Sequence, residues 1–205
     1  MKSTIKNKIG IFGGTFDPPH NAHLLLARFA VKRLHLTRLY FIPAALHALK
    51  KYAMTPVSLR YEMIRAAIGN NRTFKISRIE MDRPDVSYTI DTILQFKDYE
   101  HLPENSELFY LIGLDNLCEL HLWKDFQQIF QLATVVVLKR PGFNVQPLHK
   151  KYPQTLILDS PLYDISASEI RRKIELGEPV ESLLPAGVWK IIDENNLYRR
   201  IPVKL

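Results

Sequence analysis

The stretch Lys8-Ile9-Gly10-Ile11-Phe12-Gly13-Gly14-Thr15-Phe16-Asp17-Pro18-Pro19-His20-Asn21-Ala22-His23 decides the fold. A short apolar run, Lys8 to Phe12, stops at two glycines, and Ala22 to Leu34 follows with Leu26, Phe29, Ala30 and Leu34 at helical spacing. The unit is strand, glycine turn, helix. Glycines in that turn let the backbone approach a phosphate with no Cβ in the way, and the helix behind it offers N–H groups and a positive dipole end to an anion. His20 and His23 are three apart at the helix start, so they share a face. Two imidazoles there can donate to nonbridging phosphate oxygens as charge builds in phosphoryl transfer. Taken alone, Gly-Gly is also an ordinary tight turn and a histidine pair a helix cap or part of a zinc site. No cysteine or third histidine lies nearby to complete a zinc set, and the dinucleotide fingerprint G-x-G-x-x-G is absent.

Outward from this unit the same alternation continues. Leu39 to Ile42 reads as a strand stopped by Pro43, and Thr55-Pro56 as a helix start, with Thr55 the cap and proline at the first helical position; that helix runs to Ile68 before Gly69-Asn70. Thr73 to Ile76 is a weaker strand, Thr89 to Phe96 a short helix, and Leu108 to Ile112 and Leu132 to Leu138 are unbroken apolar strands of the buried parallel type. The pattern predicts an α/β fold, an open Rossmann-like parallel sheet with helices on both faces, whose ligands sit beyond the carboxyl ends of the strands. The core is expected over about residues 1–142. A short strand at Thr155 to Leu158 and helices at Ser168 to Leu176 and Val188 to Asn195 form a small C-terminal cap over about 143–205, the whole reading as a single domain, 1–205.

Composition narrows the classes. Of 205 residues, 46% are hydrophobic and 24% charged, which excludes a wholly disordered chain and supports a real core. Lys plus Arg is 28 against 21 Asp plus Glu, a formal charge of +7 that favours phosphorylated or polyanionic partners. Cys118 is the only cysteine, so neither an intrachain disulfide nor a Cys-rich metal site can form. The basic start is followed by a glycine-broken segment that cannot serve as a signal-peptide apolar region, and no apolar run approaches the ~20 residues of a membrane span. The expectation is a cytoplasmic protein with no membrane partner.

Three further constellations carry chemistry. Ser166 followed by Glu169 is a capping box, opening a helix that displays the Ser168 hydroxyl and, one turn on, the Arg171 guanidinium; in isolation this is simply a capped helix. Ser87-Tyr88-Thr89 opens another helix, and Trp123 is a lone aromatic that by itself reads as packing. Gly113 and Asp115 stand at a strand end, and Lys139-Arg140 follows the last buried strand on the expected ligand side.

Jointly these marks resemble a known family. Gly13 to His23 is similar to the H-x-G-H signature of the nucleotidyltransferase superfamily, in the form found in bacterial nicotinate-nucleotide adenylyltransferases. The resemblance continues through Glu80, Arg83, Ser87 to Thr92, Gly113-x-Asp115 with Trp123, Arg140-Pro141-Gly142, Ile165 to Arg171, Leu183-Leu184-Pro185 and Leu197-Tyr198-Arg199. It implies transfer of AMP from ATP to nicotinate mononucleotide, with His20, His23 and Arg171 as catalytic residues and Mg²⁺ accompanying ATP, and no metal site built by the protein. Gly13, Gly14, Thr15, Phe16, His20, His23, Gly113, Asp115, Ile165, Ser166, Ser168 and Arg171 would surround ATP; Phe16, Lys50, Tyr88, Thr89, Trp123, Lys124 and Arg140 would surround the acceptor. The chain departs from the pattern at Ala22, where the family has glycine, and across Pro43 to Lys51, where Pro-Pro-His followed by a basic residue is usual. Nicotinamide mononucleotide or phosphopantetheine as acceptor, and a noncatalytic nucleotide- or RNA-binding role for the +7 charge, remain alternatives; no RNA-binding signature accompanies the basic tail, so nucleic acid is not an expected partner. A homo-oligomer is compatible with the sequence.

Overall fold

The computed structural model describes residues 7–45, 55–83, 86–139 and 145–200. Six parallel strands, β1 (Lys8–Gly14), β2 (Arg38–Pro43), β3 (Phe74–Ile76), β4 (Glu107–Gly113), β5 (Thr134–Leu138) and β6 (Leu156–Leu158), form one sheet in the order β3-β2-β1-β4-β5-β6. The strand period of two sorts side chains to opposite faces. Ile9, Ile11, Tyr40, Ile42, Leu108, Tyr110, Ile112, Val135 and Val137 join one core, and Phe12, Leu39, Phe41, Phe109, Leu111, Val136 and Leu138 join the other.

Helices cover both cores. On the first lie α3 (Thr89–Tyr99), α4 (Leu114–Glu119) and α5 (Phe126–Leu132), contributing Ile90, Ile93, Phe96, Leu114, Leu117 and Ile129. On the second lie α1 (Asn21–Leu34) and α2 (Val57–Ile68). Ala27 and Ala30 bring α1 close against the sheet, and Lys32 and Arg33 in its last turn meet the negative dipole end. A third core, built by Met63 of α2 with Ile170 and Ile174 of α7 (Ala167–Glu175) and Val188 and Ile192 of α8 (Ala186–Glu194), fastens the C-terminal cap to the main body.

The expected architecture is therefore present, with local differences. Thr55 does not cap α2: the cap position is Pro56, and the Thr55 hydroxyl donates to the Tyr198 hydroxyl instead. β5 starts at Thr134 because Leu132 closes α5. The segment 114–131, to which the sequence pattern assigns no element, holds α4, a 3-10 turn at Leu120–Leu122 and all of α5 but Leu132. Another helix, α6 (Val145–Lys151), lies where the sequence pattern predicts no element; its Pro147 sits in the first turn, where helix N–H groups have no intrahelical acceptor. No described helix is long and apolar enough to cross a membrane.

Candidate active site

Strand order reverses between β1 and β4, which are parallel neighbours, with α1 leading off to β2 on one side and α4 toward β5 on the other. A crevice opens at the carboxyl ends of strands at such a point. Gly13 and Gly14 end β1 there and Gly113 ends β4. Bare backbone at these positions is required by contact: a Cβ on Gly13 would stand 2.7 Å from the Tyr110 hydroxyl, and one on Gly14 3.1 Å from the Phe16 ring.

Two clefts meet at those glycines. The larger, about 560 Å³, is lined by Gly13, Gly14, Thr15, Phe16, His20, His23, Gly113, Asp115, Ser166, Ser168 and Arg171 among others. Phe16 adopts a left-handed φ of 49°. The residue is 2% exposed, its ring packed edge-on against Phe12, Phe41 and His23, so it shapes the cleft wall from within the core. The His20 and His23 rings stack with centroids 3.7 Å apart, and the His20 backbone N–H donates to His23 Nδ1 at 3.2 Å. An accepting Nδ1 puts the proton of a neutral His23 on Nε2, which makes that nitrogen a donor.

Across the cleft, Ser166 caps α7 by accepting the Glu169 N–H at 3.2 Å, as its spacing predicts. Arg171 donates to the Asp17 carbonyl at 2.7 Å and to Ser168 Oγ at 3.4 Å. The guanidinium is thus aimed from the cap into the first motif, across 154 residues of sequence. Ile165 does not line this cleft; it lines a smaller recess of about 20 Å³ beside it, with Ala22, Lys139, Tyr163 and both histidines. The Ala22 methyl belongs to that recess wall.

The second cleft, about 140 Å³, gathers Ser87, Tyr88, Thr89, Trp123 and Lys124, which the sequence separates by more than thirty positions, with Glu80 and Tyr110. Tyr88 holds the cap position of α3 and makes no side-chain cap bond, so the first-turn amides, that of Thr89 included, are helix donors without an intrahelical acceptor. The Trp123 indole meets Tyr110 edge-on at 6.2 Å, and the Tyr110 hydroxyl lies 3.4 Å from Thr89 Oγ1. Burial, with Glu80 nearby, pushes the Tyr110 hydroxyl well above its ordinary value, so it stays protonated. Lys124 spans the mouth: its Nζ donates to both Asp91 oxygens at 3.2 Å and sits 5.0 Å over the Tyr88 ring. Burial raises Glu80, against the opposing effect of the Thr92 hydroxyl, which donates to its Oε1 at 3.0 Å. Phe16, expected at both ligands, lines only the first cleft. Lys50 and Arg140 lie outside the described residues.

Gly13, Gly14, Asn116, Glu119 and Leu122 line both clefts. The last three follow one face of α4 and its 3-10 extension, a partition that sequence reasoning missed because α4 has only six residues. Arg60 was missed too. It is 1% exposed and donates to the carbonyls of Thr55 at 2.8 Å, Thr15 at 2.7 Å and Ala44 at 2.7 Å. It ties the glycine loop to the ends of β2 and the start of α2. Among the described residues no group of three or more His, Cys, Asp or Glu side chains is placed to hold a metal ion.

A glycine turn, stacked histidines at a helix start and a capped helix bearing arginine lie together at the switch point of a 3-2-1-4-5-6 sheet, the place where open α/β folds bind their ligands. The model of the cytidylyltransferase-like family matches residues 11–173. The Bacillus subtilis (strain 168) nicotinate-nucleotide adenylyltransferase is 38% identical over 192 residues, covering 93% of this chain and 98% of that one. A Clostridium tetani chain named "Probable nicotinate-nucleotide adenylyltransferase" is 38% identical over 201 residues, covering 94% and 99%. In fold the chain is similar to the Plasmodium falciparum nicotinic acid mononucleotide adenylyltransferase complexed with NaAD, with a TM-score of 0.80, 19% identity and coverage of 94% and 97%. The chain belongs to the cytidylyltransferase-like family and, within it, to the nicotinate-nucleotide adenylyltransferases.

Proposed function

We propose that this chain joins ATP and nicotinate mononucleotide into nicotinate adenine dinucleotide, releasing pyrophosphate, and that residues 1–205 work as one unit because the first motif and the cap face one cleft. The observation that carries the reading is the common wall of the two clefts: a nucleotide in each brings its phosphate to Gly13-Gly14. An oxygen of the acceptor phosphate attacks the α phosphorus of ATP, forming one P–O bond while the bond to the β-phosphate oxygen breaks. That oxygen is already ionised at neutral pH, so alignment and charge stabilisation suffice.

In this reading His20 and His23 donate to the α-phosphate, Arg171 and Ser168 hold the departing pyrophosphate, and Asp115 accepts from the ribose hydroxyls of ATP. Trp123 stacks on the pyridine ring, beside Tyr88, and the amides of Thr89 and Lys124 bind its carboxylate. Lys50 and Arg140 are assigned to the acceptor phosphate. Mg²⁺ would arrive with ATP as part of the substrate and would supply charge neutralisation on the triphosphate, beside the Arg171 and Ser168 side chains. Converging backbone N–H donors favour a carboxylate over an amide, whose NH₂ would face a donor.

Pyrophosphate release from Mg·ATP, measured with nicotinate mononucleotide, nicotinamide mononucleotide or phosphopantetheine, tests the proposal. Release that requires an acceptor, with the highest kcat/KM for the nicotinate nucleotide, is the expected result. Equal values for the two pyridine nucleotides would refute the carboxylate pocket; ATP binding with no release on any acceptor would refute the enzyme reading.

A further inference from the structure

Helix α8 ends at Glu194 with Asn195 as its C-cap, and two residues that follow, Asn196 at φ 49° and Tyr198 at φ 64°, are left-handed. A tyrosine in that region is costly and persists only where its surroundings over-determine it. Leu197, between them, donates its N–H to the Ile192 carbonyl at 3.0 Å and packs on the third core. The turn carries the Tyr198 phenol to the first motif. Its hydroxyl donates to Asp17 Oδ1 and accepts from Thr55 Oγ1 at 3.2 Å.

Asp17 is 3% exposed, and its second carboxylate oxygen accepts the Thr55 N–H at 3.2 Å. Its carbonyl accepts Arg171, as described. Thr55 is in turn held by Arg60, so the side of this network away from the cap is fixed. Burial, reinforced by the Asp17 charge, raises the Tyr198 hydroxyl far above its ordinary value, so it remains a donor throughout the working pH range.

We propose that Tyr198 is a positioning residue of the transfer reaction: by holding the Asp17 carboxylate it sets the Asp17 carbonyl that orients the Arg171 guanidinium toward the leaving pyrophosphate. The proposal rests on the assignment of Arg171 to that group. Tyr198 lines neither cleft; it acts through Asp17 and Arg171, which line the larger one.

The test uses the full chain as Tyr198→Phe, Arg171→Ala and the double variant. Phenylalanine keeps the ring and its packing while removing the hydroxyl. Mg·ATP affinity is titrated without acceptor, so the readout does not depend on which acceptor is used, and the thermal midpoint is recorded beside it. Tyr198→Phe should weaken Mg·ATP about tenfold, the scale of one hydrogen bond to a charged group. In the Arg171→Ala background the same change should weaken it no further. An unchanged affinity in Tyr198→Phe beside a weakened Arg171→Ala overturns this proposal alone. The same tenfold loss in both backgrounds also overturns it, since the effect then bypasses Arg171. Unchanged affinity in Arg171→Ala overturns this proposal and the pyrophosphate assignment together.

Discussion

Gly13→Ala offers a direct test of how closely the two clefts are built around bare backbone. Gly13 lies outside the left-handed region, so alanine meets no conformational obstacle, and the effect comes from space alone. The added methyl would stand 2.7 Å from the Tyr110 hydroxyl oxygen, a separation real Cβ atoms essentially never show. That oxygen ends a stiff, buried ring, so the ring or the strand must move. Overpacking of this kind costs about 1 to 3 kcal/mol, and at about 2 to 4 °C per kcal/mol for a chain of this size the midpoint falls by roughly 2 to 12 °C. The displaced ring pushes toward Thr89, 3.4 Å from the hydroxyl, so acceptor KM should rise more than ATP KM.

The structure also supplies the compensating change. After the hydroxyl oxygen, the next atom the methyl meets is Tyr110 Cζ at 3.5 Å, an ordinary contact. Tyr110→Phe removes the clash and forfeits only a long hydrogen bond, at a cost of about 1 kcal/mol or less. The double variant should therefore be more stable than Gly13→Ala alone, read by thermal unfolding and by pyrophosphate release. If the two losses simply add, or if Gly13→Ala is neutral, the clash reasoning is wrong.

Other expectations concern the clefts' polar and aromatic groups. His23→Ala should lower kcat by about two to three orders of magnitude, the scale of removing one donor to transition-state charge, with a thermal midpoint close to that of the parent; near-normal kcat refutes the role. Trp123→Ala should cost about 1 to 3 kcal/mol of acceptor binding by lost stacking, and calorimetry showing equal loss for ATP would refute it. Glu80 has its pKa raised by burial above the ordinary 4.5, so the folded state holds its proton more firmly than the unfolded chain. Its contribution to stability is therefore full below 4.5 and is lost as pH rises through the raised value. Midpoints of Glu80→Gln and the parent, compared across that window, should diverge in the variant's favour as pH rises; a constant offset refutes the assignment.

What the sequence made legible follows from the range of the forces involved. β4 and β5 are apolar on both faces because two cores bury them, and such runs announce themselves in any reading. The Ser166 cap acts over three residues and is equally visible. α4 and α5, with six and seven residues, show too few periods to stand out, and Asp125 between them is left-handed without being glycine. Arg60 left no trace in the pattern because its partners are backbone carbonyls, which every residue possesses. Thr55-Pro56 has the form of a cap, yet the hydroxyl is claimed by Tyr198, a partner 143 positions away. Histidines and glycines of the first motif were readable because their chemistry is local to one turn; Glu119 and Asn116 were not, since only the sheet's topology brings their helix between the clefts.

The bond from Tyr198 to Asp17 spans 181 positions. On a ribosome adding 5 to 20 residues per second, the phenol emerges roughly 10 to 40 s after the aspartate it serves. Through that interval the nascent chain can pair β1 with β2 and then with β4 while the loop at Asp17 still lacks the contact from Tyr198. A motif is thus completed only after every strand of the sheet that carries it has been made. A chain released short of Tyr198 would carry every histidine and glycine of the first motif on a sheet of all six strands, without the hydroxyl that holds Asp17 in place.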